Sequence, residues 1–215
     1  MNQIEKVYPK LFTWLAVGLF ITFITGYTMS LFMETLFPIL LKSYLVIAII
    51  EIILAIVLSM KIQDLSPPVV KVLYIIYTLF SGLTFGAIFI VYELPSIMLI
   101  FALTTVIFIV LAAFGYFTKI DISKFGWILF CALIASILFS IINAIFIKSS
   151  GLDLAITIIG CLIFAGYIAY DIHKIKGMLE VLGEEKAAVY GAFQLYLDFI
   201  NLFIRLLDLL GKKKD

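Results

Sequence analysis

Four acidic side chains of this 215-residue chain stand inside long apolar runs: Glu51, Asp171, Asp198 and Asp208. An ionisable group in a hydrocarbon setting is expensive and marks a cation pathway, a proton relay or a gate. Asp198 sits midway along the last run, in Leu195-Tyr196-Leu197-Asp198-Phe199-Ile200-Asn201. At about 3.6 residues per turn, Gln194, Asp198, Asn201, Arg205 and Asp208 fall on one helical stripe roughly 80° wide. Leu, Ile, Phe, Ala and Tyr fill the rest of that helix. A polar stripe on such a helix is either hydrogen-bonding glue between helices or the lining of a polar cavity. Arg205 and Asp208, three residues apart, also read as a local pair at the helix end.

Asp171 closes the sixth apolar run, in Tyr167-Ile168-Ala169-Tyr170-Asp171-Ile172-His173-Lys174. Alone it reads as an interfacial residue. However, the midpoint between positions 171 and 198 falls in Gly183-Glu184-Glu185-Lys186, the most loop-like stretch between them. A tight turn there brings both aspartates to similar depth on adjacent antiparallel helices. Two carboxyls held close in a low-dielectric site share a proton and titrate as a coupled pair. Such a pair is a pH-sensitive latch. Deprotonated, it attracts a hard cation such as Ca²⁺, which prefers oxygen ligands. Glu51, with no charged residue within one turn, reads either as a protonated, hydrogen-bonded carboxyl or as a further acidic group on a cation route. Lys61 ends the second run and either snorkels to the interface or serves as counter-ion to the aspartates. His173 reads as interfacial rather than catalytic.

These groups need a scaffold, and the composition specifies its class. The chain is 65% hydrophobic and 13% charged, with a mean hydropathy of +1.23. Soluble domains average about 45–50% apolar and about 25% charged. The chain reads as an all-α polytopic membrane protein, a single transmembrane domain over 1–215. A spanning helix needs about 20 apolar residues. Seven segments qualify, at about 11–33, 38–60, 72–92, 95–117, 125–147, 154–175 and 187–210. Backbone polar groups in lipid must be satisfied internally, so these are helices. Unbroken runs such as Ile97–Phe117 lack the alternation of a membrane β-barrel. The first run is longer than a signal-peptide core of about 7–15 residues and lacks a small-residue cleavage site.

No enzymatic or cofactor chemistry stands out. The single histidine and two cysteines, Cys131 and Cys161, argue against a His/Cys metal centre. Both cysteines read as small buried hydrophobes. One histidine at a helix end builds no Ser-His-Asp triad, and no Gly-rich phosphate loop precedes a Lys-Ser or Lys-Thr. No basic patch suggests nucleic acid. The expected partners are the lipid bilayer, protons and cations.

Lysines set the orientation. Lys6, Lys10, Lys61, Lys71, Lys119, Lys124, Lys174, Lys176 and Lys186 share the N-terminal side, against Lys42 and Lys148 opposite. The N-terminus is therefore expected in the cytoplasm. Lys212-Lys213-Lys214 run against this bias if the last helix crosses fully. Pro67-Pro68 punctuates the second connection, and Pro38 and Pro95 are expected at helix starts, where a missing N–H costs least.

With these residues in view, the chain resembles the Bax-inhibitor (transmembrane Bax inhibitor motif) family in its prokaryotic form. The most specific likeness lies in Gly166-Tyr167-Ile168-Ala169-Tyr170-Asp171 and Leu195-Tyr196-Leu197-Asp198-Phe199-Ile200-Asn201-Leu202-Phe203. Weaker likenesses are Tyr77-Thr78-Leu79-Phe80-Ser81-Gly82-Leu83-Thr84, and Gly115 with Lys119-Ile120-Asp121-Ile122-Ser123. The resemblance implies seven transmembrane helices, six surrounding a central C-terminal helix. It also implies a pH-sensitive calcium leak through the membrane, with Asp171 and Asp198 as paired sensor and transient Ca²⁺ ligands; the short termini and loops point to a prokaryotic plasma membrane. Ca²⁺ is then the transported ion and no cofactor is needed. The family places a basic residue at the cytoplasmic end of the second helix. Here that position holds Lys61, a point charge without arginine's bidentate fork, so a latch through it is expected to be weaker.

Two other readings compete. One is a non-conducting regulator that binds other membrane proteins. The other is an intramembrane aspartyl protease, which Tyr170-Asp171 fits superficially. Against it, Leu195-Tyr196-Leu197 rather than Gly-x-Gly precedes Asp198, and no proline follows Pro95.

Overall fold

The computed structural model describes the backbone of residues 3–214, and the side chains of these except 3–5, 33–41 and 44. Six α-helices account for nearly all of it: α1 (Gln3–Leu31), α2 (Met33–Met60), α3 (Pro67–Val91), α4 (Leu94–Phe117), α5 (Phe125–Ile142) and α6 (Ser150–Leu210). A π-helical turn, Asn143–Ile147, extends α5. Among the described residues there is no strand, only an isolated antiparallel bridge between Tyr92 and Lys213. Five helices among the described residues are long and apolar enough to cross a membrane, and Leu45–Met60 of α2 is a shorter apolar stretch. Large apolar side chains such as Leu99, Val106, Trp127, Phe146 and Leu162 lie exposed. In water they would be a liability; on a membrane protein they face lipid.

Local chemistry explains the helix ends. Pro67 and Pro68 occupy the first helical positions of α3 after Ser66, where a missing N–H costs nothing. Pro95 likewise follows the first residue of α4. Pro38 does not behave as expected: α2 already begins at Met33, so Pro38 lies inside the helix. The turn into α6 is built by Asn143, whose side chain both donates to the Ser149 carbonyl and accepts from the Ser149 N–H. Ser149 in turn accepts from the Leu152 N–H, capping α6. In α6 the departure from helical backbone is at Gly183, with φ 74° and ψ 167°, a region almost confined to glycine. It separates two limbs, 150–182 and 184–210.

The chain divides into two compact units. The first comprises Met1–Glu93, Lys176–Tyr196 and Lys213–Asp215. In it, α1 and α3 approach closely across small residues: added Cβ atoms at Gly18, Gly26 and Gly82 would press on Tyr74, on the Gly82 carbonyl and on Thr25. Small residues allow such approach where apolar burial gives no driving force between helices. Tyr74, Tyr77, Phe193 and Tyr196 form edge-to-face contacts, with Tyr77 and Phe193 centroids 5.1 Å apart. Around Gly183, Glu184 pairs with Lys10, and Glu185 with Lys71 at 2.9 Å. Lys186 donates to the carbonyls of Ile62 and Gln63.

The second unit comprises Leu94–Ile175 and Leu197–Lys212. Phe101 and Phe108 of α4 meet Phe199 of α6 edge-to-face, with centroids 5.2 and 5.7 Å apart. The backbone of α4 at Gly115 lies against Ala169. Gly126 and Leu129 of α5 receive Tyr170 and Gly166. Cys161 is half-buried and Cys131 is exposed, so Cys131 is not the buried hydrophobe expected of it; it stands on an outward face of α5.

Candidate functional site

Asp171 and Asp198 are the only charged side chains among the described residues that are buried in full, with 4% and 5% of their surface exposed. Both belong to the second unit. Asp171 is placed by the first limb of α6, whose neighbouring residues Ala169 and Tyr170 seat against Gly115 and Gly126. Asp198 is placed one residue before Phe199, which α4 holds through Phe101 and Phe108. The two carboxyls lie within interaction range of each other. A hydrogen bond between them would need a proton, because two carboxylates can only accept. Oδ2 of Asp198 is buried without a hydrogen-bond partner.

Two neighbours complete the setting. Lys174, one turn beyond Asp171, presents its charge to that carboxyl, with its ammonium 5.5 Å from the Tyr170 ring centroid. The Tyr167 phenol, one turn before Asp171, faces both aspartates electrostatically. Neither residue was singled out from the sequence, although the i, i+3 and i, i−4 spacing around Asp171 was available as a signal.

The remaining candidates are distributed. Glu51 is half-buried on α2, near the hydroxyls of Thr84 and Ser81 on α3. Lys61 caps the C-terminus of α2 and pairs with Asp64 at 3.8 Å, both side chains being well exposed. Gln194 is half-buried. Asn201 donates to the Leu197 carbonyl of its own helix at 2.7 Å. Arg205 lies across Gly160, its Nε, Cδ and Cζ filling the space a side chain there would take. Asp208 is exposed, and both it and Arg205 act electrostatically on Cys161. No group of three or more His, Cys, Asp or Glu side chains able to hold a metal ion occurs among the described residues.

The helices and their outward apolar surface define a multi-pass membrane protein carrying a buried pair of carboxyl groups. The family described as "Inhibitor of apoptosis-promoting Bax1" matches residues 4–215, and the chain belongs to this Bax-inhibitor family. It is 40% identical to the inner membrane protein YbhL of Escherichia coli (strain K12), over 98% of this chain and 93% of the relative. It is 32% identical to a protein of Borreliella burgdorferi over 98% of this chain and 94% of the relative. A membrane protein of Streptococcus pyogenes serotype M1 is also 32% identical, over 97% of this chain and 93% of the relative.

Proposed function

We propose that the protein is a pH-sensitive calcium leak of the cell membrane, gated by Asp171 and Asp198. The observation that carries this reading is the burial of two carboxyls within interaction range of each other. One proton holds the pair together; without it, two like charges face each other in a low-dielectric site. The pair then titrates as a unit, and proton binding becomes a change in how the two limbs of α6 are held. Deprotonated carboxylates, with the free Oδ2 of Asp198, offer oxygen ligands to Ca²⁺ in transit. Ca²⁺ takes about 6–8 oxygens, so two carboxyls give it a transient stop that retains water. No cofactor and no catalytic step enter this mechanism.

In this reading one transmembrane domain spans 1–215 with seven helices, six around the last, and the N-terminus is cytoplasmic. YbhL is described as an inner membrane protein, which supports a plasma-membrane location. Glu51, Gln194, Asn201, Arg205 and Asp208 are the proposed further lining of the route. Lys61, which pairs with Asp64, is the proposed counter-ion. The family description, with its reference to an inhibitor, favours as second reading a non-conducting regulator acting through other membrane proteins.

The test uses the full chain in liposomes loaded with a Ca²⁺ dye. Flux that varies with pH and loses that variation in Asp171→Asn and Asp198→Asn supports the leak. Absence of flux at every pH overturns it in favour of the regulator, and cleavage of a membrane substrate would return the protease reading.

A further inference from the structure

The two units use the lysines at their helix ends differently. In the first unit Lys10 pairs with Glu184, Lys71 with Glu185 and Lys61 with Asp64, and Lys186 is spent on the carbonyls of Ile62 and Gln63. In the second unit Lys119, Lys124 and Lys174 are exposed, and none of the three forms an ion pair among the described residues. Lys174 lies over the Tyr170 ring at 5.5 Å, a face that attracts a cation but carries no net charge to cancel it. Its charge also reaches the buried Asp171, without an ion-pair contact.

The turn between α4 and α5 fixes two of these lysines in place. Ile122 is buried at its centre. Asp121 accepts from the Ser123 N–H at 3.0 Å, and the N–H groups of Phe125 and Gly126 donate to the carbonyls of Ile122 and Ser123. Asp121 is the one carboxylate of the turn, so three ammonium groups outnumber it. The Tyr170 phenol fills the space beside Gly126, which brings Lys174, over the same ring, to the rim that carries Lys124. Below that rim an apolar stripe runs along α5. Lys124, Trp127, Phe130 and Ile134 follow at steps of three or four residues, the spacing of one helix face. Trp127, Phe130 and Ile134 are 71%, 47% and 42% exposed, and the two rings stack with centroids 5.7 Å apart.

We propose that this rim binds an anionic phospholipid, with the headgroup phosphate taken by Lys119, Lys124 and Lys174 and an acyl chain laid along Trp127, Phe130 and Ile134. Ammonium groups that no carboxylate neutralises attract an anionic headgroup. A zwitterionic headgroup gains less, because its own cation meets the same three lysines. The order along α5 is charge, indole, then apolar side chains, which is the order met from a headgroup inward, with tryptophan at the interfacial level. An acidic protein segment would match the lysines but not the stripe. A second copy in a two-fold contact would bring the same lysines against one another. The inference requires no ion flux and stands apart from the proposed leak.

The chain has two tryptophans, Trp14 and Trp127, so Trp14→Phe leaves Trp127 as the sole indole. The full chain with this change is placed in liposomes of phosphatidylcholine holding a minor share of phosphatidylglycerol. Bromine, a contact quencher, is carried on the acyl chains of one lipid or of the other. Mole for mole, brominated phosphatidylglycerol should quench Trp127 more strongly than brominated phosphatidylcholine. Lys119→Gln, Lys124→Gln and Lys174→Gln should each lower this preference, by up to about fivefold per lysine, and added salt should lower it too. Lys71→Gln, whose lysine is spent on Glu185, should leave it unchanged. Equal quenching by the two lipids overturns the proposal, as does a preference that survives the triple lysine variant. Trp127 quenched by neither lipid would mean that protein covers the stripe, and overturns it as well. Loss of the preference to inorganic phosphate at constant ionic strength would make this a site for free phosphate, and so also overturns the lipid assignment.

Discussion

Thr22 and Tyr196 stand 2.6 Å apart, oxygen to oxygen, and both are fully buried. The contact ties α1 to the second limb of α6. Hydrogen bonds between helices in a membrane average about 0.6 kcal/mol and reach about 1.7 kcal/mol. A double-mutant cycle with Thr22→Val and Tyr196→Phe should give a coupling energy in that range. Reversible unfolding in detergent measures it; strictly additive single effects would show that the contact carries no energy.

Gly115 and Gly177 make opposite predictions for the same substitution. A methyl at Gly115 collides with the Ala169 carbonyl of the neighbouring backbone, whereas a methyl at Gly177 meets nothing within 4 Å. Gly115→Ala should destabilise by about 1–3 kcal/mol, the usual penalty of overpacking. Gly177→Ala, in the interior of α6, should stabilise by about 0.4–1 kcal/mol through the unfolded chain. Thermal melts of the two variants side by side check the sign of each.

Gly183 carries a conformation that other residues adopt only under strain. Gly183→Ala should cost about 1–3 kcal/mol, although nothing lies within 4 Å of the added methyl. A melting temperature equal to that of the unmutated protein would mean that the backbone at this position relaxes freely.

Glu185 gives the surface its own pH response. Its hydrogen bond and ion pair with Lys71 hold its carboxyl below the ordinary glutamate value of 4.5. A depressed carboxylate contributes stability that is present above its unfolded value and is lost as pH falls through its folded value. Acidification from about 4.5 downward should therefore release the 183–186 segment, seen as faster hydrogen exchange there. In Glu185→Gln this step should be absent, and salt should weaken the contact in the unmutated protein, since exposed pairs are screened.

For the aspartate pair, substitution by asparagine preserves shape and offers an N–H in place of the shared proton. Asp171→Asn and Asp198→Asn should therefore melt within about 1 kcal/mol of the unmutated protein, the net worth of one hydrogen bond. Asp198→Ala should melt lower, since it leaves Asp171 buried without that partner. The proposed gating predicts that both asparagine variants flatten the pH profile of Ca²⁺ flux while the fold persists.

The multi-pass helical class and the family were legible in the sequence, because both rest on long apolar runs and on two contiguous motifs around Asp171 and Asp198. Pro38 shows where local rules failed: a proline favours a helix start, but α2 had already begun at Met33. The contacts of Thr22 across helices were also out of reach. Thr104 bonds the Ile100 carbonyl of its own helix, whereas Thr22 reaches across to Thr78 and Tyr196. In a bare sequence the two threonines look alike, since each is one small polar residue in an apolar helix. What separates them is the partner opposite, which only packing decides. Lys61 shows the same limit: its position at a helix end was visible, but its pairing with Asp64 depends on the turn that follows.

The guanidinium of Arg205 lying over Gly160 has a consequence for reading mutational scans. The two positions share one volume: the arginine uses the room that the glycine leaves vacant. A scan that changes one site at a time would score both as intolerant and count two separate requirements. Only a library that varies them together would show whether a smaller residue at 205 restores tolerance at 160, and so distinguish a fit between shapes from a demand for charge.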